Sequence, residues 1–389
     1  MNGEIGVYSM FSVHEGKKRP FRESHMTCGL RWPTTLKVKR SKLGSRGAQA
    51  LRDLFLSLLD AAWIDPGTPE LMADTGLAHD HVRLGGTGRI ARLPKQSQMR
   101  LAPAENLAYQ AACFTRASAS GHAPRLRAVL PPSDTLPRGG LVVEEIDGRT
   151  ARLPEDLPAI MAALAAIHSL PVPEARAPLL DPADPLARLL EEIGAQAEYL
   201  NAADPATRAI MERHIAALRD LADDTPRPPR RLISFDAHPG NFLVTPEGRA
   251  VLVDLEKARY SAPPLDLAHA TLYTSTTWDV ASHAVLSPEE VAGACRHWLT
   301  CLPGAERAAL APWILPLRRA MWLWSMTWCA KWRVLSGAEA KATQDGEDWA
   351  AGKSEAALIA HVRGRVDHYL YPETAALMDD GFARLADLL

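Results

Sequence analysis

The spacing of hydrophobic residues divides the chain into a short β-like part and a longer helical part. Between residues 48 and 62, leucines recur at helical intervals, which predicts an amphipathic helix. Short apolar runs bounded by glycine and proline follow it and predict strands. The predicted strands cover residues 81–84, 89–93, 126–130 and 141–146, with an alanine-rich helix at 104–116. This order of elements predicts a small, β-rich lobe.

Beyond residue 148 the hydrophobic pattern is mainly helical. The predicted helices cover residues 157–169, 182–200 and 206–221, β-like runs lie within 231–258, and the chain from 266 onward is mostly helical. We therefore predict an α+β, bilobal fold with a cleft between the lobes. The small β-rich lobe would span residues 47–147, and the larger, mostly helical lobe would span 148–389.

Composition and charge exclude several classes of protein. With 47% hydrophobic and 23% charged residues among 389, the chain resembles an ordinary globular protein. Its net charge of −2 gives no overall positive field for nucleic acid. Residues 1–46 are nevertheless basic, and we predict that they form a disordered extension.

Cysteine usage and hydropathy bear on the compartment. The five cysteines include no C-x-x-C pair, which favours a reducing cytosol over a disulfide scaffold or a zinc ribbon. No apolar run approaches the roughly 20 residues of a membrane span. We expect a cytoplasmic protein that binds neither nucleic acid nor a membrane.

Two polar residues converge on one predicted hairpin. A short strand after Asn241 and an apolar strand before Asp254 flank turn residues at 245–248. The midpoint between positions 241 and 254 falls inside this turn, so we predict that Asn241 and Asp254 face each other, with Cβ atoms about 5 Å apart. An amide oxygen beside a carboxylate suits Mg²⁺, which completes its coordination shell with phosphates and water.

An acidic residue, Asp236, lies five positions before Asn241. It is one tight loop away from the predicted metal ligands and is therefore available to accept a proton from a hydroxyl nucleophile. The D-x-x-x-x-N spacing followed by a strand-ending Asp is the phosphoryl-transfer arrangement of kinases. The sequence thus predicts transfer of a phosphoryl group from ATP, with Mg²⁺, to an alcohol.

Three motifs resemble those of a known family. Asp236-Ala-His-Pro-Gly-Asn241, Val253-Asp-Leu-Glu256 and Asp266-Leu-Ala268 are similar to motifs of the aminoglycoside phosphotransferase/choline kinase family. The resemblance implies a protein-kinase-like fold and a small-molecule alcohol as acceptor. Choline, ethanolamine, an amino sugar, an aminoglycoside or another hydroxylated metabolite remain alternatives. It also implies that Asp266 caps backbone amides beneath the catalytic loop.

The resemblance extends upstream and implies the nucleotide site. Arg92, in the third strand of the family pattern, would hold the α- and β-phosphates, and Glu105 on the next helix would orient it. Gly76 lies in a segment that resembles the nucleotide-covering loop. Glu144 and Ile146 lie where main-chain groups would bind the base, and ATP is not distinguished from GTP.

Other side chains near these motifs have less specific patterns. We interpret His238 as a loop brace, because Asp236 already fits the role of base. Glu256 could approach the metal or the nucleophile, and a buried structural carboxylate is an equal alternative. Lys257 and Arg259 are interpreted as surface charges. A glycine-rich run at 86–91 is followed by a strand and a proline, which excludes a dinucleotide fingerprint.

A tryptophan stripe could contribute to acceptor binding. Trp324 and Trp328 lie four residues apart on a predicted helix, a spacing typical of core packing. Aromatic faces also bind amines, as in choline kinases, so a cation-binding role is the competing hypothesis. Trp278 and Asp279 could add an aromatic ring and a carboxylate near the acceptor.

One departure from the family pattern affects the activity. Ser234 and Phe235 stand where the family has His-Gly before the catalytic Asp. A catalytically impaired, nucleotide-binding regulatory or scaffold protein of the same fold is therefore the alternative hypothesis. A protein substrate is disfavoured, because no Ala-Pro-Glu closes an activation segment between Asp254 and Asp266. The sequence does not determine the oligomeric state.

Overall fold

The computed structural model describes residues 45–60, 64–65, 67–72, 78–224, 226–336 and 356–389. These residues belong to one compact unit, Gly44–Leu389. The predicted disorder of residues 1–46 concerns a segment almost wholly outside the described residues, and Gly76 also lies outside them. Within the described ranges, no helix is both long and apolar enough to cross a lipid bilayer.

The small lobe contains a five-stranded antiparallel sheet. Its strands are β1 (Thr68–Leu71), β2 (His79–Gly85), β3 (Arg89–Pro94), β4 (Leu126–Leu130) and β5 (Gly140–Glu144). Their order across the sheet is β1-β2-β3-β5-β4. Strands β2 and β3 form a hairpin, and Gly86 and Gly88 in its turn adopt positive φ angles of 83° and 65°. Helices α1 (Ser45–Asp60) and α2 (Pro103–Ala117) complete the lobe.

The large lobe is mostly helical and contains two small sheets. Its helices are α3 (Leu157–His168), α4 (Pro185–Ala197), α5 (Pro205–Asp224), α6 (Pro264–Thr271), α7 (Tyr273–Thr276), α8 (Pro288–Thr300), α9 (Gly304–Leu310), α10 (Ile314–Leu335), α11 (Ala356–Tyr369) and α12 (Pro372–Ala386). Its strands are β6 (Arg149–Thr150), β7 (Arg231–Ile233), β8 (Phe242–Val244), β9 (Ala250–Leu252) and β10 (Arg259–Ser261). The sheets have the orders β6-β8-β9 and β10-β7. The predicted bilobal α+β architecture is therefore present.

Two buried hydrophobic clusters position the cleft. The first joins α2 and β5 of the small lobe to α3, α8 and the β8–β9 hairpin, with Phe114, Leu141 and Phe242 among its members. The second lies within the large lobe between α4, α5, α6, α10, α11 and α12. Because the first cluster contains side chains from both lobes, burial of these apolar groups fixes the small lobe against the hairpin.

The register of the β8–β9 hairpin differs from the prediction by one residue. Phe242 pairs with Leu252, and the N–H of Val253 donates to the main-chain oxygen of Asn241 at 2.9 Å. The prediction that Asn241 and Asp254 are direct partners is therefore wrong. The cause is a three-residue loop closed between Thr245 and Arg249, in which Gly248 has a φ angle of 80°.

Candidate active site

Two cavities meet in the cleft. The larger cavity, of about 640 Å³, is lined by the small-lobe sheet and the β8–β9 hairpin, and its walls include Arg92, Glu144 and Ile146. The smaller cavity, of about 200 Å³, lies in the large lobe and includes Asp236. Both cavities are lined by the same five residues at their junction: His238, Asn241, Asp254, Trp278 and Leu358.

The loop before Asp236 is held from beneath by Asp266. The Asp266 carboxylate is fully buried and accepts the N–H groups of Ser234 and Phe235, each at 2.7 Å. His168 lies 3.2 Å from Asp266 through Nε2, and its Nδ1 accepts the indole N–H of Trp298 at 3.1 Å. Because Nδ1 is the acceptor, Nε2 of His168 carries the proton donated to Asp266. Asp266 thus occupies the capping position that the family resemblance implies.

Phe235 has an unusual backbone conformation for a residue other than glycine. Its φ angle is 58°, in the left-handed region, and its side chain is 1% exposed. The guanidinium of Arg259 lies over its ring at 3.7 Å, and the Trp324 ring meets it edge to face at 5.2 Å. Ser234 accepts the N–H of Asp236 through Oγ at 2.9 Å. The two residues that replace His-Gly therefore still form a braced loop.

Asp236 is paired with Lys257, so the interpretation of this lysine as a surface charge is wrong. Lys257 Nζ lies 2.9 Å from Asp236 Oδ2, and His269 Nδ1 lies 3.9 Å from Oδ1. Burial acts to raise the pKa of Asp236, but Lys257 and His269 outweigh it and hold that pKa below the usual value. The carboxylate is thus ionised at neutral pH and able to accept a proton.

The assignment of Arg259 to the surface is also wrong. Its side chain is buried and pairs with Glu192 at 2.9 Å, and the same carboxylate accepts the indole N–H of Trp324 at 3.2 Å. Residues 257 and 259 both follow the end of the hairpin, and Lys257 lines the smaller cavity, whereas Arg259 is buried behind it against Phe235. Nothing in the local sequence indicates that these two side chains pair with Asp236 and Glu192, because both acidic residues come from other segments of the chain.

Asn241 and Asp254 have oxygens suited to a hard cation. Asn241 donates Nδ2 to the main-chain oxygen of Asp236 at 2.9 Å, an orientation that leaves its Oδ1 available. Asp254 Oδ1 accepts from Arg92 at 2.7 Å, which leaves its second oxygen available. Burial acts to raise the pKa of Asp254, but Arg92 and neighbouring cationic groups lower it to about 2. An ionised carboxylate beside an amide oxygen fits Mg²⁺.

A buried polar cluster beside Asp254 was missed by the sequence analysis. Glu256 accepts from Gln98 at 2.6 Å and lies 3.7 Å from His79, which in turn contacts Gln110 at 2.9 Å. Burial, followed by repulsion from Asp254, raises the pKa of Glu256 to about 8. Possible ligand atoms of His79, Asp254 and Glu256 lie within 4.8 Å of one another. Glu256 is thus a buried, hydrogen-bonded carboxylate that also lies close to Asp254, which agrees with both of its predicted alternatives.

Glu105 does not reach Arg92, so its predicted orienting role is not seen in the structure. It is exposed in the first turn of α2, where its carboxylate accepts the N–H of Ala102 at 3.4 Å. Its position favours helix capping, because the unpaired N–H groups at a helix start attract a carboxylate. The α2 side chains that reach the cluster lie further along the helix, where Gln110 contacts His79 at 2.9 Å and the Phe114 ring lies under the Arg92 guanidinium at 5.3 Å.

His238 and Asp279 flank a glycine in the loop between Asp236 and Asn241. His238 Nδ1 accepts the N–H of Gly240 at 2.8 Å, which is the geometry of a loop brace. A Cβ atom at Gly240 would lie 2.5 Å from both the Asp279 carboxylate and the His238 ring. Asp279 lines the larger cavity beside Trp278. The close packing leaves no room for a side chain at position 240.

The tryptophans of α10 lie partly in the cleft and partly in the core. Trp324 and Trp328 are half-buried and line the smaller cavity, whereas Trp332 is buried in the core of the large lobe. Trp278 meets Trp328 edge to face at 5.8 Å and stacks on Tyr369 at 6.3 Å. An aromatic wall therefore faces Asp236 across the smaller cavity.

Comparison with protein families identifies the chain. Residues 74–313, more than half of the sequence, match the sequence profile of the phosphotransferase enzyme family. The chain belongs to this family. The predicted relation to aminoglycoside phosphotransferases and choline kinases is confirmed. No curated protein sequence matches the chain.

Several solved structures share the fold of this phosphotransferase at low sequence identity. A choline/ethanolamine kinase family protein from Mesorhizobium loti superposes with a TM-score of 0.55 at 16% identity, covering 87% of this chain and 97% of that one. The ethanolamine kinase of Plasmodium vivax gives 0.56 at 13% identity, covering 88% and 93%. Aminoglycoside 2'-phosphotransferase-IIIa, solved as its GDP complex, gives 0.53 at 14% identity, covering 81% and 98%. The predicted kinase-like fold is confirmed.

Proposed function

We propose that the protein transfers the γ-phosphoryl group of ATP to a hydroxyl of a small, amine-bearing molecule. The observation that carries this proposal is the junction of the two cavities at Asn241 and Asp254, with Asp236 in the smaller cavity only. A nucleotide in the larger cavity would present its terminal phosphate at this junction. An alcohol in the smaller cavity would meet that phosphate beside Asp236.

The side chains around the junction divide the chemical tasks. Asp236 orients the acceptor hydroxyl and accepts its proton, aided by the Lys257 cation that keeps it ionised. Asn241 and Asp254 would hold Mg²⁺, with Glu256 nearby, and the ion would supply positive charge to the β- and γ-phosphates. Arg92, which lines the larger cavity, would contact the α- and β-phosphates. Such catalysis depends mostly on placement and charge stabilisation.

Main-chain groups of the small lobe would recognise the base. Glu144 and Ile146 line the larger cavity, and the N–H of Glu144 is already donated to Arg125 at 2.9 Å. The main-chain N–H of Ile146 would therefore be the donor to the base. The similar aminoglycoside 2'-phosphotransferase is a GDP complex, so GTP is tested beside ATP.

The activity is tested with two variants that separate binding from chemistry. A coupled ADP assay over a panel of choline, ethanolamine, amino sugars and aminoglycosides identifies the acceptor, and a thermal-shift titration measures Mg·ATP binding. Asp254→Ala should abolish turnover and weaken Mg·ATP binding. Asp236→Asn should lower kcat by about 100-fold or more while leaving Mg·ATP affinity near normal.

The same measurements distinguish an enzyme from a regulatory protein. Mg·ATP binding by the wild-type chain, with no ADP formed above background for any acceptor, would favour the scaffold alternative. Parallel loss of nucleotide binding in Asp254→Ala and Asp236→Asn would contradict the separate roles of the two carboxylates. The braced loop at Ser234 and Phe235 favours the enzyme.

The amine-bearing class of acceptor rests on the aromatic wall of the smaller cavity. A cation over a tryptophan face gains about 0.5–2 kcal/mol, depending on its desolvation. Trp324→Ala and Trp328→Ala should therefore raise the KM of an amine acceptor, whereas Trp→Phe at either position should largely preserve it. An unchanged KM for every active acceptor in both alanine variants would refute this class.

A further inference from the structure

A third cavity lies in the large lobe, outside the residues assigned to phosphoryl transfer. It has a volume of about 260 Å³ and is formed by the end of α6 together with α7, α8, α10 and α12. Most of its wall is apolar and comes from Leu272, Leu286, Val291, Met378, Phe382 and Leu385. Helix α7 contributes to this cavity through Tyr273 and Thr276 and to the acceptor cavity through Thr274 and Ser275.

A buried arginine faces this mostly apolar space. Arg318 is 8% exposed, and its guanidinium donates to the hydroxyl of Thr271 at 2.6 Å and to its main-chain oxygen at 3.0 Å. In the part of the chain that the structure describes, no Asp or Glu forms an ion pair with it. Burial lowers its pKa to about 10, so the side chain remains charged at neutral pH.

An unpaired buried charge is unusual because desolvation of the ion must be offset. The C-terminal end of α6, at Thr271, places partial negative charge beside the guanidinium. A guanidinium has five N–H donors, and Thr271 accepts two hydrogen bonds. Donor capacity therefore remains on Arg318 for an anionic partner in the cavity.

Further features of the cavity fit an anion with an apolar body. The hydroxyl of Thr276, a residue 1% exposed, has no hydrogen-bond partner among the residues that the structure describes. Arg384, which is exposed, adds a second cation to the lining. Val285 and Leu377 also line the cavity and are 63% and 50% exposed, so apolar groups surround its opening.

We propose that this cavity binds an organic anion, a carboxylate or phosphate on an apolar chain, with its charged oxygens on Arg318. Neither the phosphoryl-transfer reaction nor the acceptor requires this site. The proposal is therefore independent of the proposed function.

Four probes and three variants test the proposal on the full chain. Isothermal titration calorimetry compares sodium octanoate, octyl phosphate, 1-octanol and inorganic phosphate.

The variants change the cavity in different ways. Gly381→Leu places a side chain into the cavity, because a Cβ atom at Gly381 meets no atom within 4 Å. Gly364→Leu on α11 is the matched control, since Gly364 is equally unobstructed but lines none of the three cavities. Arg318→Met removes the charge and keeps an apolar side chain of similar length.

We expect octanoate or octyl phosphate to bind at least tenfold more tightly than 1-octanol and inorganic phosphate. Gly381→Leu and Arg318→Met should weaken that binding by about tenfold or more, and Gly364→Leu should leave it unchanged. Equal binding of octanol, equal binding by the Gly381→Leu protein, or no binding of either octyl anion would overturn the proposal. Since Gly381→Leu keeps Arg318, the test does not depend on the folding of one variant.

Discussion

Substitution of Phe235 provides a test of the catalytic-loop geometry that does not require a known acceptor. We compare Phe235→Ala with Phe235→Gly. The two changes remove the same buried ring and its contacts with Arg259 and Trp324. They differ in how well the new residue tolerates a φ angle of 58° and in the entropy of the unfolded chain.

The expected difference follows from opposing backbone effects. Loss of a fully buried Phe side chain costs about 3–5 kcal/mol in either variant. Alanine keeps a left-handed penalty of about 1–2 kcal/mol that glycine avoids. Glycine gives the unfolded chain extra entropy, which costs about 0.4–1 kcal/mol. We therefore expect Phe235→Gly to be more stable than Phe235→Ala by about 1 kcal/mol.

Urea unfolding followed by far-UV circular dichroism measures the free energy of unfolding of each variant. Phe242 is the matched control, because it is equally buried but has a φ angle of −107°. At Phe242, the glycine variant should be less stable than the alanine variant, the usual order for a strand. If glycine is the less stable replacement at both positions, Phe235 does not have the left-handed conformation and the argument for a strained loop fails.

Further predictions concern the nucleotide site, the catalytic loop and the metal. Glu105→Ala should leave the KM for ATP unchanged because Glu105 is exposed, whereas Arg92→Met should raise it about tenfold or more in the steady-state assay. Gly240→Ala should lower kcat on the order of tenfold, because its methyl would displace Asp279. The control Gly364→Ala should keep kcat and stabilise α11 by about 0.5–1 kcal/mol in urea unfolding. Chelation with EDTA should abolish turnover without changing the far-UV spectrum, and turnover in EDTA would contradict the metal site.

Elements and motifs that depend on neighbouring residues could be predicted from the sequence. Alternating and helical patterns gave the strand at Leu126–Leu130 and located helix α2 to within a residue at each end. The D-x-x-x-x-N motif predicted the loop that carries Asp236 and Asn241, because such a loop is closed by local hydrogen bonds. These features need no information from distant segments.

Features that depend on long-range packing could not be predicted. The one-residue error in the hairpin register came from the three-residue loop between Thr245 and Arg249, in which Gly248 has a left-handed conformation. The partners of Lys257 and Arg259 lie 21 and 67 residues away in the sequence. Gln110, rather than Glu105, contacts the β2 residue His79, because the fold turns that side of α2 toward the sheet.

The replacement of His-Gly by Ser234 and Phe235 can be understood as an exchange of one brace for another. A left-handed residue other than glycine costs free energy, so it persists only where its surroundings fix it. At Phe235, Asp266 holds the backbone, and Arg259 and Trp324 hold the ring. Because Trp324 also lines the cavity that contains Asp236, the ring connects the loop of the proposed base to the wall of the acceptor site. A glycine could adopt the same backbone conformation but could not make this connection.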